Sequence, residues 1–193
     1  SHGYKGKYAG WLLEHKFTSD IVENNYDHMI IFNGLNNIPG DTLEMTAAKR
    51  DLQAMFTQAK QAGMTVIAVT IQPSKESHYW DRLTMSPDTR FNNDIKPTDA
   101  EKAAGQELAL EKTLEINDWI LNEAQDVDYR VDAYSALEDP DNPGAMREEY
   151  RSSYDKLHLS TTGHKKLAQT IYETVYAQSE RAENQGEQLA YGE

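Results

Sequence analysis

The run Met64-Thr-Val-Ile-Ala-Val-Thr-Ile71 constrains the fold more than any other stretch of the chain. It is apolar and β-branched almost without a break, so a strand made from it must be covered on both faces. Such a strand belongs inside a parallel sheet with helices packed above and below. The flanking segments agree. Asp41-Thr-Leu-Glu44 has the spacing of a capping box, and Leu52, Met55, Phe56 and Ala59 follow at helical spacing until Gly63. Asp27-His-Met-Ile-Ile-Phe-Asn33 predicts a short buried strand before that helix, and Tyr8 to about Glu23 a helix burying Trp11, Leu12, Phe17 and Ile21. Downstream, a helix is expected from Asp99 to about Ala124, with Leu110, Leu114 and Leu121 on one face and Ile116 and Ile120 beside it. Asp128-Tyr-Arg-Val-Asp-Ala133 predicts a further strand, and a last helix from Thr162 buries Leu167, Ile171 and Val175. Strands alternating with helices mean an α/β domain built on a parallel sheet. Residues 1–178 are expected to form that domain and residues 179–193 a polar tail without fixed structure.

A chain of 193 residues can bury a sizeable core as one domain. It has no Cys, which removes disulfides and thiolate metal sites. The formal charge of −13 argues against nucleic acid or an anionic membrane as partner, because phosphate binding needs clustered Lys and Arg. No apolar run approaches the ~20 residues of a membrane span, and the N-terminus has no signal-peptide pattern, so the compartment stays open. The histidines show no paired spacing with carboxylates that suggests a metal site, and no Gly-rich phosphate loop follows a strand. No cofactor is implied.

In parallel α/β sheets, function collects in the loops at the carboxyl ends of the strands. Three stretches fit that place: Gly34–Gly40, Gln72–Thr98 and Ala133–Leu159. The third ends in Tyr154-Asp-Lys-Leu-His-Leu-Ser, which sets Asp155 and His158 three residues apart just before the last helix. A carboxylate there can fix the imidazole tautomer while the other ring nitrogen takes a proton from a nucleophile. The first carries Gly34-Leu-Asn36-Asn37 directly after a strand. An Asn amide in that position can donate to an oxyanion, a contact worth about 3–4 kcal/mol in acyl transfer. In the long second stretch, Tyr79 and Trp80 are candidates for a substrate wall.

Gly34-x-Asn36-Asn37 and Asp155-x-x-His158, in that order and on those elements, resemble the SGNH hydrolase superfamily of GDSL-like esterases. The resemblance covers roughly residues 3 to 178. It implies a flavodoxin-like three-layer α/β/α sandwich and a serine esterase without a cofactor. His158 falls on the general base, Asp155 on its orienting acid and Asn36 on the oxyanion Asn, with Asn37 where Asp is usual. A second oxyanion donor is expected from the backbone of Gly6, or of Gly3. The family's first block, a strand ending Gly-Asp-Ser, is absent, so one or more N-terminal strands are expected to be missing or rearranged. Ser1 is the alternative nucleophile. Ser74, Ser77, Ser152, Ser153 and Ser160 are candidates only by default.

These features lead to an esterase or acetylesterase acting on a small ester or acetylated carbohydrate, its serine supplied by an upstream segment or a partner chain. The competing reading is a non-catalytic binding or assembly module of the same descent, without a nucleophile.

Overall fold

A computed structural model of the chain describes residues 3–177, which leaves Ser1 and the expected tail, residues 179–193, outside the described part. The first helical segment opens as α1 (Ala9–Leu12), widens to a π-helical turn over Leu13–Phe17 and resumes as α2 (Thr18–Asp20). Phe17 is buried there as expected. Leu12 and Ile21 are only half-buried, because they line an open groove beside the first strand, and Trp11 stacks on His15.

Strand β1 (His28–Ile31) leads into α3 (Thr42–Gln61), which returns the chain to β2 (Thr65–Val69). The capping box forms as the spacing predicts: Glu44 N donates to Asp41 at 3.0 Å and Asp41 N to Glu44 at 3.0 Å. The long stretch after β2 contains the short α4 (Pro87–Arg90), then comes α5 (Asp99–Asn122). β3 (Tyr129–Val131), α6 (Ala133–Leu137) and α7 (Thr161–Val175) complete the described elements.

The strands form one parallel sheet in the order β1-β2-β3, with His28 beside Thr65 and Ile67 beside Tyr129. β2 is the central strand and is covered on both faces, as its composition requires. Val66 and Ala68 pack with Leu52 and Phe56 of α3 and Ile116 and Ile120 of α5. Ile67 and Val69 face the other way, onto Val131, Leu137, Leu167 and Val175. Each fully buried aliphatic side chain in these layers contributes about 1.5–3 kcal/mol. The result is the expected three-layer α/β/α arrangement.

Two expectations are corrected. The buried face of α5 is Ala109, Thr113, Ile116, Asn117 and Ile120, while Leu114 is 45% exposed and Leu110 and Leu121 are half-buried. Asn117 explains the rotation: its Oδ1 accepts from Ile71 N at 2.7 Å and its Nδ2 donates to Ile71 O at 2.9 Å. Leaving those buried backbone groups unpaired would cost about 1–3 kcal/mol each, more than burying one further leucine edge returns. The first predicted strand is also not covered on both faces. Ile30 is 49% and Phe32 36% exposed, because among the described residues no strand pairs with the outer edge of β1. Thr65 N donates to Asp27 O at 2.9 Å, so the alternate peptide groups, those of His28 and Ile30, point at that open edge.

Candidate active site

The carboxyl ends of β1 and β2, with the loop before α7, converge on one region. Beyond β2, Gln72 and Ser77 reach across to the Asp155 loop. Gln72 Nε2 donates to Leu157 O at 3.2 Å, and the fully buried Ser77 Oγ donates to Asp155 O at 2.8 Å. The Asp155 loop is closed on itself by Ser152 N donating to His158 O at 2.7 Å and Ser160 N to Tyr150 O at 2.8 Å. Lys156 turns the loop through a left-handed conformation at φ 54°, a position where a side-chain-bearing residue is strained. Ser160 caps α7 by accepting from Gly163 N at 3.1 Å. Glycine is needed at 163, since a Cβ would stand 2.1 Å from Tyr150 O.

That frame presents Asp155 and His158 as a pair. His158 Nδ1 and Asp155 Oδ2 are 2.6 Å apart, and Asp155 Oδ1 accepts from the amides of Leu157 and His158, each at 3.0 Å. Asp155 is 6% exposed, whereas the His158 side chain is 66% exposed. Burial alone would raise the Asp155 carboxyl. The bond to the His158 ring and the two amide donors outweigh it and hold the pKa to about 2. A carboxylate ionised this firmly favours the tautomer with the proton on Nδ1, which leaves Nε2 as the free ring nitrogen of a largely exposed side chain.

No serine hydroxyl among the described residues is hydrogen-bonded to His158. Ser77 is committed to Asp155 O, Ser152 Oγ accepts from Tyr154 N at 3.2 Å, and Ser160 is the α7 cap. Ser74 is buried, and its carbonyl serves the loop by accepting from Trp80 and Ser77; Ser153 is exposed.

On the β1 side, Gly34 takes φ 117°, a conformation open to glycine, and a Cβ there would meet Ile71 Cδ1 at 2.9 Å. The turn puts Leu35–Asn37 in a short 3₁₀ helix. Asn37 is buried and accepts from Ala9 N at 3.1 Å, tying the loop to the start of α1. Asn36 is exposed, and its Nδ2 donates to Lys7 O at 3.0 Å, leaving one amide hydrogen of that group uncommitted to Lys7. Gly3, Lys7, Gly34, Asn36 and Gln72 line one pocket of about 250 Å³. Gly6 lies in the turn just before, at φ 69°. Gln72 is the link between this pocket and the Asp155 loop.

Trp80, expected in a substrate wall, is instead 3% exposed, with its indole N–H donating to Ser74 O at 2.7 Å. It packs the loop onto the domain, the usual result when a large ring with one polar atom finds a carbonyl nearby. Tyr79 is 53% exposed and stacks on His78, whose ring also meets Tyr154 edge-on. Sequence reading offers Ser77 only as a default nucleophile and misses both its tether to Asp155 and the role of Gln72, because nothing in their local spacing announces a partner some eighty residues away. It also missed Glu76, which takes the Arg151 guanidinium, Lys156 at 3.5 Å and Asn142 at 3.1 Å. The Arg151 hydrogen bond is the main cause that holds the Glu76 carboxyl below its ordinary range.

No family profile and no curated protein matches the chain. Solved structures do. A Bacteroides fragilis protein described as an acylhydrolase superposes with TM-score 0.61 at 18% identity, over 87% of this chain and 69% of that one. A GDSL-like lipase of Bacteroides thetaiotaomicron gives 0.58 at 18% identity, over 89% and 72%. A variant of an acetyl-xylooligosaccharide esterase of Geobacillus gives 0.51 at 14% identity, over 89% and 68%. The chain shares the α/β fold of these GDSL-like hydrolases. The Gly34–Asn37 turn follows the carboxyl end of β1, and Gln72, beyond the carboxyl end of β2, donates to the loop that carries Asp155 and His158.

Proposed function

We propose that this domain is an SGNH-type serine esterase whose nucleophile is carried by a strand added to the open edge of β1. The observation that carries this reading is the Asp155–His158 pair, a buried carboxylate 2.6 Å from an imidazole that is itself turned to solvent. A merely structural ion pair gains nothing from exposing the basic nitrogen. The open edge supplies the place for the strand. A groove of about 420 Å³ runs along it between Leu12, Phe17 and Ile21 on one side and residues 28–33 on the other. Groove and site pocket share Tyr4, Leu12, Phe32 and Asn33. At that junction Asn33 Oδ1 is a buried acceptor without a hydrogen-bond partner. A strand running parallel to β1 would cover Ile30, satisfy the edge peptide groups and end beside the pocket.

The chemistry follows from the residues. The serine Oγ attacks the ester carbonyl carbon as His158 Nε2 takes its proton, with Asp155 stabilising the imidazolium through Nδ1. Asn36 Nδ2 and the amide of Gly3 or Gly6 hold the oxyanion. Collapse expels the alcohol, which receives the proton from His158, and leaves an acyl-serine. Water, deprotonated by His158, attacks that ester and releases the acid and the free serine. The acidic surface suits a neutral acyl carrier, and an acetylated sugar is the class we favour.

The test is hydrolysis of p-nitrophenyl acetate by the chain extended upstream with a strand ending in Gly-Asp-Ser. Activity should appear and fall at least ~10³-fold with His158→Ala and ~10²–10³-fold with Asn36→Ala. Activity indifferent to His158 would refute the assignment. A second reading, a non-catalytic binding module, is favoured by the lack of any serine on His158 among the described residues. An extended chain that folds and stays inert would select it.

A further inference from the structure

Asn36 lines two cavities. One is the site pocket with Gly34 and Gln72; the other is an open cleft of about 870 Å³ between the α1 segment, the Pro39–Gly40 turn, α3 and the end of α4. The far wall of this cleft is Phe91, which is 81% exposed, and the near wall includes Tyr8 at 53%. A ring that exposed is usually left over from a loose loop. Here the loop is built to hold it. The Arg82 guanidinium donates to three of its carbonyls, Arg90 O at 3.3 Å, Asn92 O at 2.8 Å and Ile95 O at 2.7 Å.

The charges in the cleft are largely spoken for. Arg50 pairs with Asp51 at 2.7 Å, Glu44 is the second half of the α3 capping box, and the Arg90 guanidinium lies over the Phe91 ring at 5.8 Å. With Glu14 the lining holds three carboxylates against two guanidiniums, a near balance that offers no cluster of one sign to an ionic ligand. Two exposed aromatic faces with a polar, hydrogen-bonding floor fit a neutral chain of hydroxyl-bearing rings.

We propose that this cleft is the subsite for the acyl carrier and takes a neutral oligosaccharide, with Phe91 and Tyr8 stacking on sugar faces so that an attached ester reaches Asn36. The proposal rests on reading Asn36 as the oxyanion donor. It assigns the leaving group to the cleft and the small acyl group to the 250 Å³ pocket.

The experiment is calorimetric titration of the chain with xylotetraose and cellotetraose, and with tetragalacturonate as the anionic counterpart. Binding of at least one neutral chain is expected. Phe91→Ala should weaken it roughly five- to tenfold, the size of one aromatic contact, and so should Tyr8→Ala. His158→Ala should bind as the parent does. Phe91 is exposed enough that alanine leaves the fold intact, so unchanged affinity in that variant would overturn the proposal. So would binding of the galacturonate alone, or of no sugar. Because binding needs no hydrolysis, sugar binding by a chain that stays inert after strand extension would sink the esterase reading and leave the cleft standing as a sugar site without an acyl to transfer. Hydrolysis of p-nitrophenyl acetate without sugar binding would do the reverse.

Discussion

Replacing Asp155 with Asn tests the Asp155 loop without requiring turnover. Asp155 is buried, gives one oxygen to two amides and the other to His158, and is held to a pKa of about 2. An unfolded Asp titrates at about 3.9, so the folded carboxyl stays ionised to markedly lower pH. A depressed carboxyl contributes stability that is present above the unfolded pKa and is lost as pH falls through the folded one. The contribution at pH 7 is about 2–3 kcal/mol; near pH 3 the unfolded carboxyl is mostly protonated and roughly half remains. Asn keeps an acceptor for the amides but offers an N–H or a neutral oxygen to Nδ1. Asp155→Asn should therefore lower the unfolding free energy by about 2–3 kcal/mol at pH 7 and by about half that at pH 3. Urea unfolding followed by circular dichroism at both pH values measures this. A difference under ~0.5 kcal/mol at pH 7, or one that does not shrink with acid, would refute the account of the carboxylate.

Gly34→Ala forces a side chain onto φ 117° and against Ile71 Cδ1 at 2.9 Å, and should cost about 1–3 kcal/mol in the same urea assay. Asn117→Ala leaves the Ile71 amide and carbonyl unpaired beneath α5, and a loss of roughly 2–5 kcal/mol is expected by thermal or urea denaturation. Ser77→Ala removes the 2.8 Å tether to Asp155 O; about 1–2 kcal/mol should be lost, with faster amide exchange at residues 155–158 by hydrogen–deuterium exchange. Ile30→Lys on the half-exposed edge strand should change the stability of the chain by under ~0.5 kcal/mol, yet block rescue of ester hydrolysis by an upstream strand.

Much of this fold is visible in local pattern. The β2 run needs two covered faces and has them, and the Asp41/Glu44 box starts α3 where the spacing says. The Asp155-x-x-His158 spacing brings the two side chains together because one loop with a left-handed residue at 156 can close over three positions. What could not be read depends on distant partners. The rotation of α5 is set by Asn117 meeting the backbone at Ile71, which makes a polar residue part of the core and turns Leu114 outward. Trp80 looked like a wall residue because aromatic rings in long loops serve both ends; its indole found Ser74 O instead. The apolar content of β1 predicted a covered strand; Ile30 and Phe32 are exposed in the fold as described, and the strand proposed for the outer edge would account for that content.

The most direct test of the central claim is labelling with a fluorophosphonate probe followed by peptide mapping. It would compare the chain, the strand-extended chain, and each with His158→Ala. The account predicts no His158-dependent labelling of the chain by itself, and stoichiometric labelling of the added serine in the extended form, lost with His158→Ala. Labelling of a serine within residues 3–177 that depends on His158 would contradict it, because the nucleophile would then lie inside the present fold and not on an added strand.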